Sequence, residues 1–267
     1  MIRQPISQKA RIGLGVLAIA ILALAYTWLS VRQHAINPRD TTLPDWSQLA
    51  AGVSKVLAPD AEYKGQCWLW VDFKATFFRH FTGLAAGAIA SIALGLLMGC
   101  YAWIEALFVP PLSLLAKIPP TAMLAVFFVV VGTDYTMFVA MIGFGVLPTL
   151  AQAVYQSAKS DVPEELVYKA YTLGASQLEI VWNVIFMQIL PRVIEAVRLQ
   201  VGPAMVYLIA AEMLVGDVGF GYRIRIQSRL LNMNVVYTYL MVLGLLGFFM
   251  DYSLSWMRRK ICPWYKG

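Results

Sequence analysis

Six apolar runs, each long enough to cross roughly 30 Å of hydrocarbon, set the terms on which this chain can fold. They are Ile12 to Ser30, Phe81 to Trp103, Val109 to Val131, Tyr135 to Gln156, Val184 to Leu214 and Val235 to Trp256. Inside a bilayer every backbone N–H and C=O must find its partner within the protein, and single runs of this length do so as helices. The expected fold class is therefore all-α, a polytopic membrane protein with about six transmembrane helices. Composition agrees: 60% of the 267 residues are hydrophobic and 13% charged, which suits lipid as the main solvent and excludes an ordinary soluble enzyme. The first run carries Tyr26-Thr27-Trp28 where a signal peptide would place small residues for cleavage, so it reads as a retained span.

Two proline pairs, Pro110-Pro111 and Pro119-Pro120, interrupt the third run, with Lys117 between them. Proline frees helix carbonyls, and at membrane depth those need protein or water. Two readings follow: Lys117, Pro119 and Pro120 line a cavity or path, or they form a cytoplasmic loop before a shorter span. Between the first two spans, Trp46, Leu49, Val53, Val56 and Leu57 recur at helical spacing after Leu43-Pro44-Asp45, which predicts a short amphipathic helix on the outer side. Trp68 and Trp70 read as interface anchors, and His80, beside Arg79 where the second run starts, as an interfacial residue. Neither His34 nor His80 has neighbours at metal-site spacing, so no metal is expected. Cys67, Cys100 and Cys262 fall in different places of this topology, and no disulfide is expected.

One interruption is polar. From Asp161 to Pro191 the chain reads DVPEELVYKAYTLGASQLEIVWNVIFMQILP. Asp161 is placed to cap a helix, with Pro163 in its first turn and Glu164 three residues on. Gly174 ends that helix, and Ser176 with Glu179 repeats the capping box two residues later. A polar helix pair leaving an apolar bundle needs a soluble partner. The basic cluster Arg258, Arg259, Lys260 and Lys266 places that side in the cytoplasm, and six spans put both termini there. The expected organisation is residues 1–75 as the first span with its outer amphipathic segment, 76–257 as the main transmembrane domain with the helix pair at 161–183, and 258–267 as a basic cytoplasmic tail.

The stretch Ala170 to Ser176, AYTLGAS, with Leu190-Pro191 downstream, resembles the cytoplasmic coupling loop of permeases of type I ATP-binding cassette importers. More narrowly it is similar to the nitrate/sulfonate/taurine branch. Thr76 to Gly83 (TFFRHFTG), Lys117 to Ala122 (KIPPTA), Ala211 to Leu214 (AEML) and Gly219 to Tyr222 (GFGY) agree with it. The chain departs from the family pattern with Tyr168-Lys169-Ala170 where Glu-Ala-Ala is usual, and with Met187 where a proline is frequent. The resemblance implies a bacterial inner-membrane subunit working as a homodimer. Its implied partners are two cytoplasmic ATPase subunits, a periplasmic or lipid-anchored solute-binding protein and membrane lipid, with no nucleic acid. It assigns ATPase coupling to Glu164, Glu165, Tyr168, Lys169, Ala170, Gly174, Ala175, Ser176 and Pro191, and a small solute, nitrate-, sulfonate-, taurine- or bicarbonate-like, as cargo. ATP and Mg are expected on the partner, because this chain has no Gly-Lys dipeptide and hence no Walker A loop. An ion-coupled carrier, or an importer of a non-anionic organic solute, is the alternative.

Charge inside the apolar runs supplies the remaining candidates. Arg192, Glu195 and Arg198 fall near one face of the fifth span, where Arg198 either attracts an anion or pins the helix to a neighbour. Glu212 joins Lys117, Pro119, Pro120 and Arg198 as a candidate for the substrate path, and with Asp217 and Gly219, Phe220, Gly221 and Tyr222 at the outer end it suggests a gate, a docking site or a plain turn. Arg223 and Arg225 read as part of a basic outer rim.

Overall fold

Every fourth residue along the second apolar run is small: Gly83, Gly87, Ser91, Gly95 and Gly99. In a helix these positions share one face, and in a bilayer a small-residue face lets a second backbone approach closely. The computed structural model, which describes residues 7–38 and 40–265, shows that approach. Helix α3 (Trp68–Cys100) lies with this stripe against α6 (Tyr135–Ser160). A Cβ added at Gly83 would stand 2.7 Å from Ile142, and one at Gly95 would stand 2.6 Å from the Ala151 carbonyl and 2.7 Å from Val154. Lys266, in the basic tail, lies outside the described residues.

Helix α6 is the centre of the core, with Met137, Met141, Ile142, Val146 and Leu150 fully buried. It packs on the long helix α9 (Met187–Val215), which offers Ile189, Val193, Val201, Ala204 and Leu208. Packing at this density resists added volume, and overfilling costs about 1–3 kcal/mol or more. Gly95→Leu is expected to lower the yield of folded, detergent-extractable protein and its melting temperature, while Gly95→Ala, a smaller intrusion, lowers both less. Equal melting temperatures for the parent and Gly95→Leu would overturn this account of the stripe.

The third apolar run is one helix, a bend and a second helix. Helix α4 (Ala102–Leu115) runs through Pro110 and Pro111, contrary to the expected break there. Proline's fixed φ is already helical, so this pair withholds donors without redirecting the chain. The chain turns at 116–119 instead. Pro119, which precedes Pro120, is extended at ψ 123°, as a residue before proline tends to be. A 3₁₀ turn (Pro120–Met123) and α5 (Leu124–Val131) follow, and the two halves are bent by 83°. Among the described residues five helices are long and apolar enough to cross a membrane, and the bent pair makes a sixth candidate.

The described residues form two compact units, one containing the chain up to Trp68 with Ile226–Leu240, the other Leu69–Arg225 with the chain from Met241 onward. In the first unit, α1 (Gln8–Ile36) is followed by the amphipathic helix expected on the outer side, α2 (Trp46–Leu57). Its start is a capping box between Asp45 and Gln48. The Gln48 amide and Ser47 hydroxyl that Asp45 accepts hold its carboxyl below the usual carboxylate range. Gly52 lies against the Asn234 carbonyl, where a Cβ would come within 2.6 Å.

His80, expected at the interface, is fully buried within the protein in α3. The helix begins at Trp68, twelve residues earlier, so His80 is already three turns into it. Cys67, Cys100 and Cys262 are all free thiols, and among the described residues no cluster of three metal-ligating side chains occurs.

Candidate functional site

The polar interruption folds as two short helices around a left-handed turn. Helix α7 (Glu164–Thr172) ends at Leu173, and Gly174 follows with φ +83°, a conformation that any Cβ would strain. The Gly174 N–H donates to the Tyr171 carbonyl at 3.0 Å and the Ala175 N–H to the Ala170 carbonyl at 3.1 Å. This is the paired bonding of a Schellman end, which satisfies carbonyls that α7 would otherwise leave open. Ser176 then caps α8 (Gln177–Glu179). Its backbone N–H and its hydroxyl each lie 2.8 Å from Glu179 Oε2, and its hydroxyl accepts from the Glu179 N–H. From Ile180 to Phe186 the chain makes a π-helical turn before continuing as α9 through the buried Pro191.

Asp161 does not cap α7. Pro163 occupies the cap position with no side-chain bond, while Asp161 ends α6 and holds Arg192 at 3.0 Å. No residue of α7 is buried; Glu164 and Glu165 stand in its first turn, and Lys169 reaches Glu165 at 3.7 Å in an exposed pair worth little. Apolar side chains are exposed around the turn as well: Tyr168 and Tyr171 on α7, Leu173 at 87% exposure, and Leu178 at 71%. An apolar patch of this kind, rimmed by charge, marks a contact surface.

A second constellation lies at the other end of α9. Gly219, at φ +120°, leads into α10 (Phe220–Arg229), so the GFGY segment is the start of a helix and not a plain turn. Its first amides are bound by side chains from distant spans. Asp72 accepts the Gly219 N–H at 3.0 Å, Thr76 Oγ1 the Phe220 N–H at 2.9 Å, and Glu212 the Gly221 N–H at 2.9 Å. Thr76 Oγ1 also donates to Glu212 at 3.0 Å. Arg79 Nη1 donates to Glu212 at 3.1 Å and to the Val218 carbonyl at 2.6 Å, and its other nitrogen reaches Asp217 at 3.4 Å. Beneath it, the Arg79 guanidinium lies 4.1 Å from the centre of the Phe138 ring. Asp72, Thr76 and Arg79 are spaced four and three apart, one face of α3.

Two arginines expected on the outer rim are otherwise employed. Arg223 is buried and donates to Asp72 at 2.9 Å. Arg225 donates to the Met213 and Leu214 carbonyls at 2.8 Å and to that of Gly216 at 3.2 Å, closing the C-terminal end of α9. Sequence reasoning assigned neither Asp72 nor Arg79 to a site. The signal was present, since ionisable residues at helical spacing within a span point to partners.

Arg198 is held by two carboxylates, Asp251 at 2.6 Å and Glu195 at 2.8 Å, and Glu195 also accepts from Arg258 at 3.0 Å. The chain of charges Arg258–Glu195–Arg198–Asp251 ties α9 to α11 (Met233–Ile261). Lys117 and Pro119 are exposed and Pro120 half-buried at the 83° bend. Among the described residues Lys117 makes no ion pair, and no bond joins it to Arg198 or Glu212.

Comparison with known proteins agrees with this geometry. The family described as "Binding-protein-dependent transport system inner membrane component" matches residues 87–262. The taurine transport system permease protein TauC of Escherichia coli (strain K12) is 24% identical over 98% of this chain and 93% of its own length. The nitrate import permease protein NrtB of Synechocystis sp. is 24% identical over 92% of this chain and 88% of its own. Among solved structures, an inward-facing form of the MetNI methionine ABC transporter shares the fold at a TM-score of 0.57 and 20% identity, covering 73% of this chain and 94% of that one. The chain thus belongs to the binding-protein-dependent transport system inner membrane component family, as a permease subunit of an ATP-binding cassette importer in the nitrate/sulfonate/taurine group.

Proposed function

We propose that this permease works as a symmetric pair, each copy docked through 164–179 on a cytoplasmic ATPase, and imports a small anion delivered by a solute-binding protein. The observation that carries the reading is the exposed helix pair: no residue of α7 is buried, yet its turn is fixed by a Schellman end and a capping box. A rigid, exposed, partly apolar protrusion on a membrane bundle is what a soluble partner can grip and move. ATP and Mg²⁺ belong to that partner, which places the helix pair and both termini in the cytoplasm.

The anionic cargo is supported by two considerations. TauC and NrtB are named for taurine, which carries a sulfonate, and for nitrate. The chain also carries a net charge of +6, which favours anions near its surface. Arg198 contributes by fastening α9 to α11, since both its neighbours are carboxylates. The test is ATP-dependent uptake into vesicles holding the whole complex, with labelled taurine and nitrate as probes and excess ethanesulfonate or bicarbonate as competitors. Uptake of one probe, abolished without ATP and suppressed by a competing anion, is expected. Preference for a cation such as choline over every anion would overturn the cargo, and uptake independent of ATP would overturn the coupling.

A further inference from the structure

We propose that Asp72, Thr76 and Arg79 are positioning residues for the outer segment 216–223, and that their bonds to it open and re-form in each transport cycle. The proposal rests on the importer reading above, in which the path opens alternately to the two sides.

Three observations lead to it. The first concerns where the cap of α10 comes from. Helices usually satisfy their first amides with a neighbouring residue. Here the acceptors are Asp72 and Thr76 of α3, 147 and 144 residues away in sequence, and Glu212 of α9. A locally capped helix is indifferent to the spans around it, whereas this one keeps its N-terminal bonds only while α3 and α9 hold one placement.

The second is the choice of charge. Well-packed apolar side chains fasten buried elements at least as firmly as ion pairs, because taking two charges out of water is costly. Glu212 is fully buried and accepts from Thr76, Arg79 and Gly221, and Asp72 is fully buried with Arg223. Such a cluster tolerates one geometry and discriminates sharply against a displaced one.

The third is its boundary. Arg79 joins the buried Glu212 to Asp217, whose side chain is 88% exposed. Water entering at Asp217 can rehydrate the charges in turn, which an apolar seal would not permit. Little slack exists elsewhere: a Cβ at Gly221 would stand 2.5 Å from the Ile209 carbonyl and 2.6 Å from Glu212 Cβ. The segment therefore moves as a body or not at all.

A cross-link tests this. In a chain with Cys67, Cys100 and Cys262 replaced by serine, Thr76→Cys with Phe220→Cys places one thiol on α3 and one on α10, at the two residues joined by the bond from the Phe220 N–H to Thr76 Oγ1 at 2.9 Å. With the assembled complex in vesicles and taurine as probe, uptake is expected to fall at least about tenfold on oxidation and to return on reduction, because an unbreakable clamp stalls the cycle. Undiminished uptake in a form whose 76–220 disulfide is shown by mass spectrometry to be closed would overturn the proposal. Phe220 is a core residue, so a measurement on the unaltered complex runs alongside: amide exchange of Gly219, Phe220 and Gly221 with and without ATP plus vanadate. A difference of about tenfold or more between the two conditions is expected, and equal protection would overturn the clamp. If exchange responds to ATP while no anion is imported, the cargo assignment fails and the clamp stands.

Discussion

Gly174→Val should leave the permease folded in the membrane and cut its coupling to ATP hydrolysis roughly tenfold or more. Gly174 holds φ +83°, and nothing lies within 4 Å of where a Cβ would point. The cost of a side chain is therefore purely conformational, about 1–2 kcal/mol in the left-handed region and more for a β-branched residue, which is about tenfold in an equilibrium. The turn escapes that cost by abandoning the Gly174 and Ala175 amide bonds, which swings α7 away from α8. Substrate-stimulated ATPase activity of the complex is the readout, with melting temperature as the control. Asparagine tolerates this conformation far better, so Gly174→Asn should keep most of the stimulation. Stimulation at the parent level in Gly174→Val would sink the docking assignment.

Breaking the Arg79–Glu212 ion pair should cost the most stability of any single change away from the glycine stripe. Arg79→Met leaves Glu212 fully buried without its cation, a loss of about 3–5 kcal/mol. Arg79→Met with Glu212→Leu removes both charges and should melt above Arg79→Met alone. Recovery stays partial, because the Gly221 N–H and the Val218 carbonyl keep no replacement partner. Melting of Arg79→Met at the parent temperature would show that the pair carries no net stability.

The contrast between these two sites explains how much could be read from sequence. Caps and turns are written in a few consecutive residues, so Gly174, Ser176 with Glu179, and Asp45 before α2 were legible, each needing only its neighbours. Asp161 looked equally local, but its partner is Arg192 on another helix, and pairing across the fold overrode the capping pattern. Arg79 and Glu212 lie 133 residues apart, and no local rule joins them. Hydropathy also read only the apolar part of α3. It started the run at Phe81, because Asp72, Lys74, Arg79 and His80 look like water-facing residues. The helix begins at Trp68 and buries three of the four: Asp72 and Arg79 pair with protein groups, while neither ring nitrogen of His80 has a hydrogen-bond partner among the described residues. The spans themselves were readable because length and apolarity alone decide them. The bend at 116–119 was half readable, as only the second proline pair turns the chain.

The π-helical turn at Ile180–Phe186 also bears on how such a permease could be altered. An α-helix turns about 100° with each residue, so the residue count between the helix pair 164–179 and α9 fixes the compass bearing at which the proposed dock points. A π turn accommodates an added residue without breaking the helix, and such turns occur frequently at functional sites. The bearing of 164–179 is thus set by the seven residues Ile180–Phe186 that join it to α9. Transplanting the dock alone between two permeases would carry over its contact chemistry but not its aim; a graft cut after Phe186 carries both.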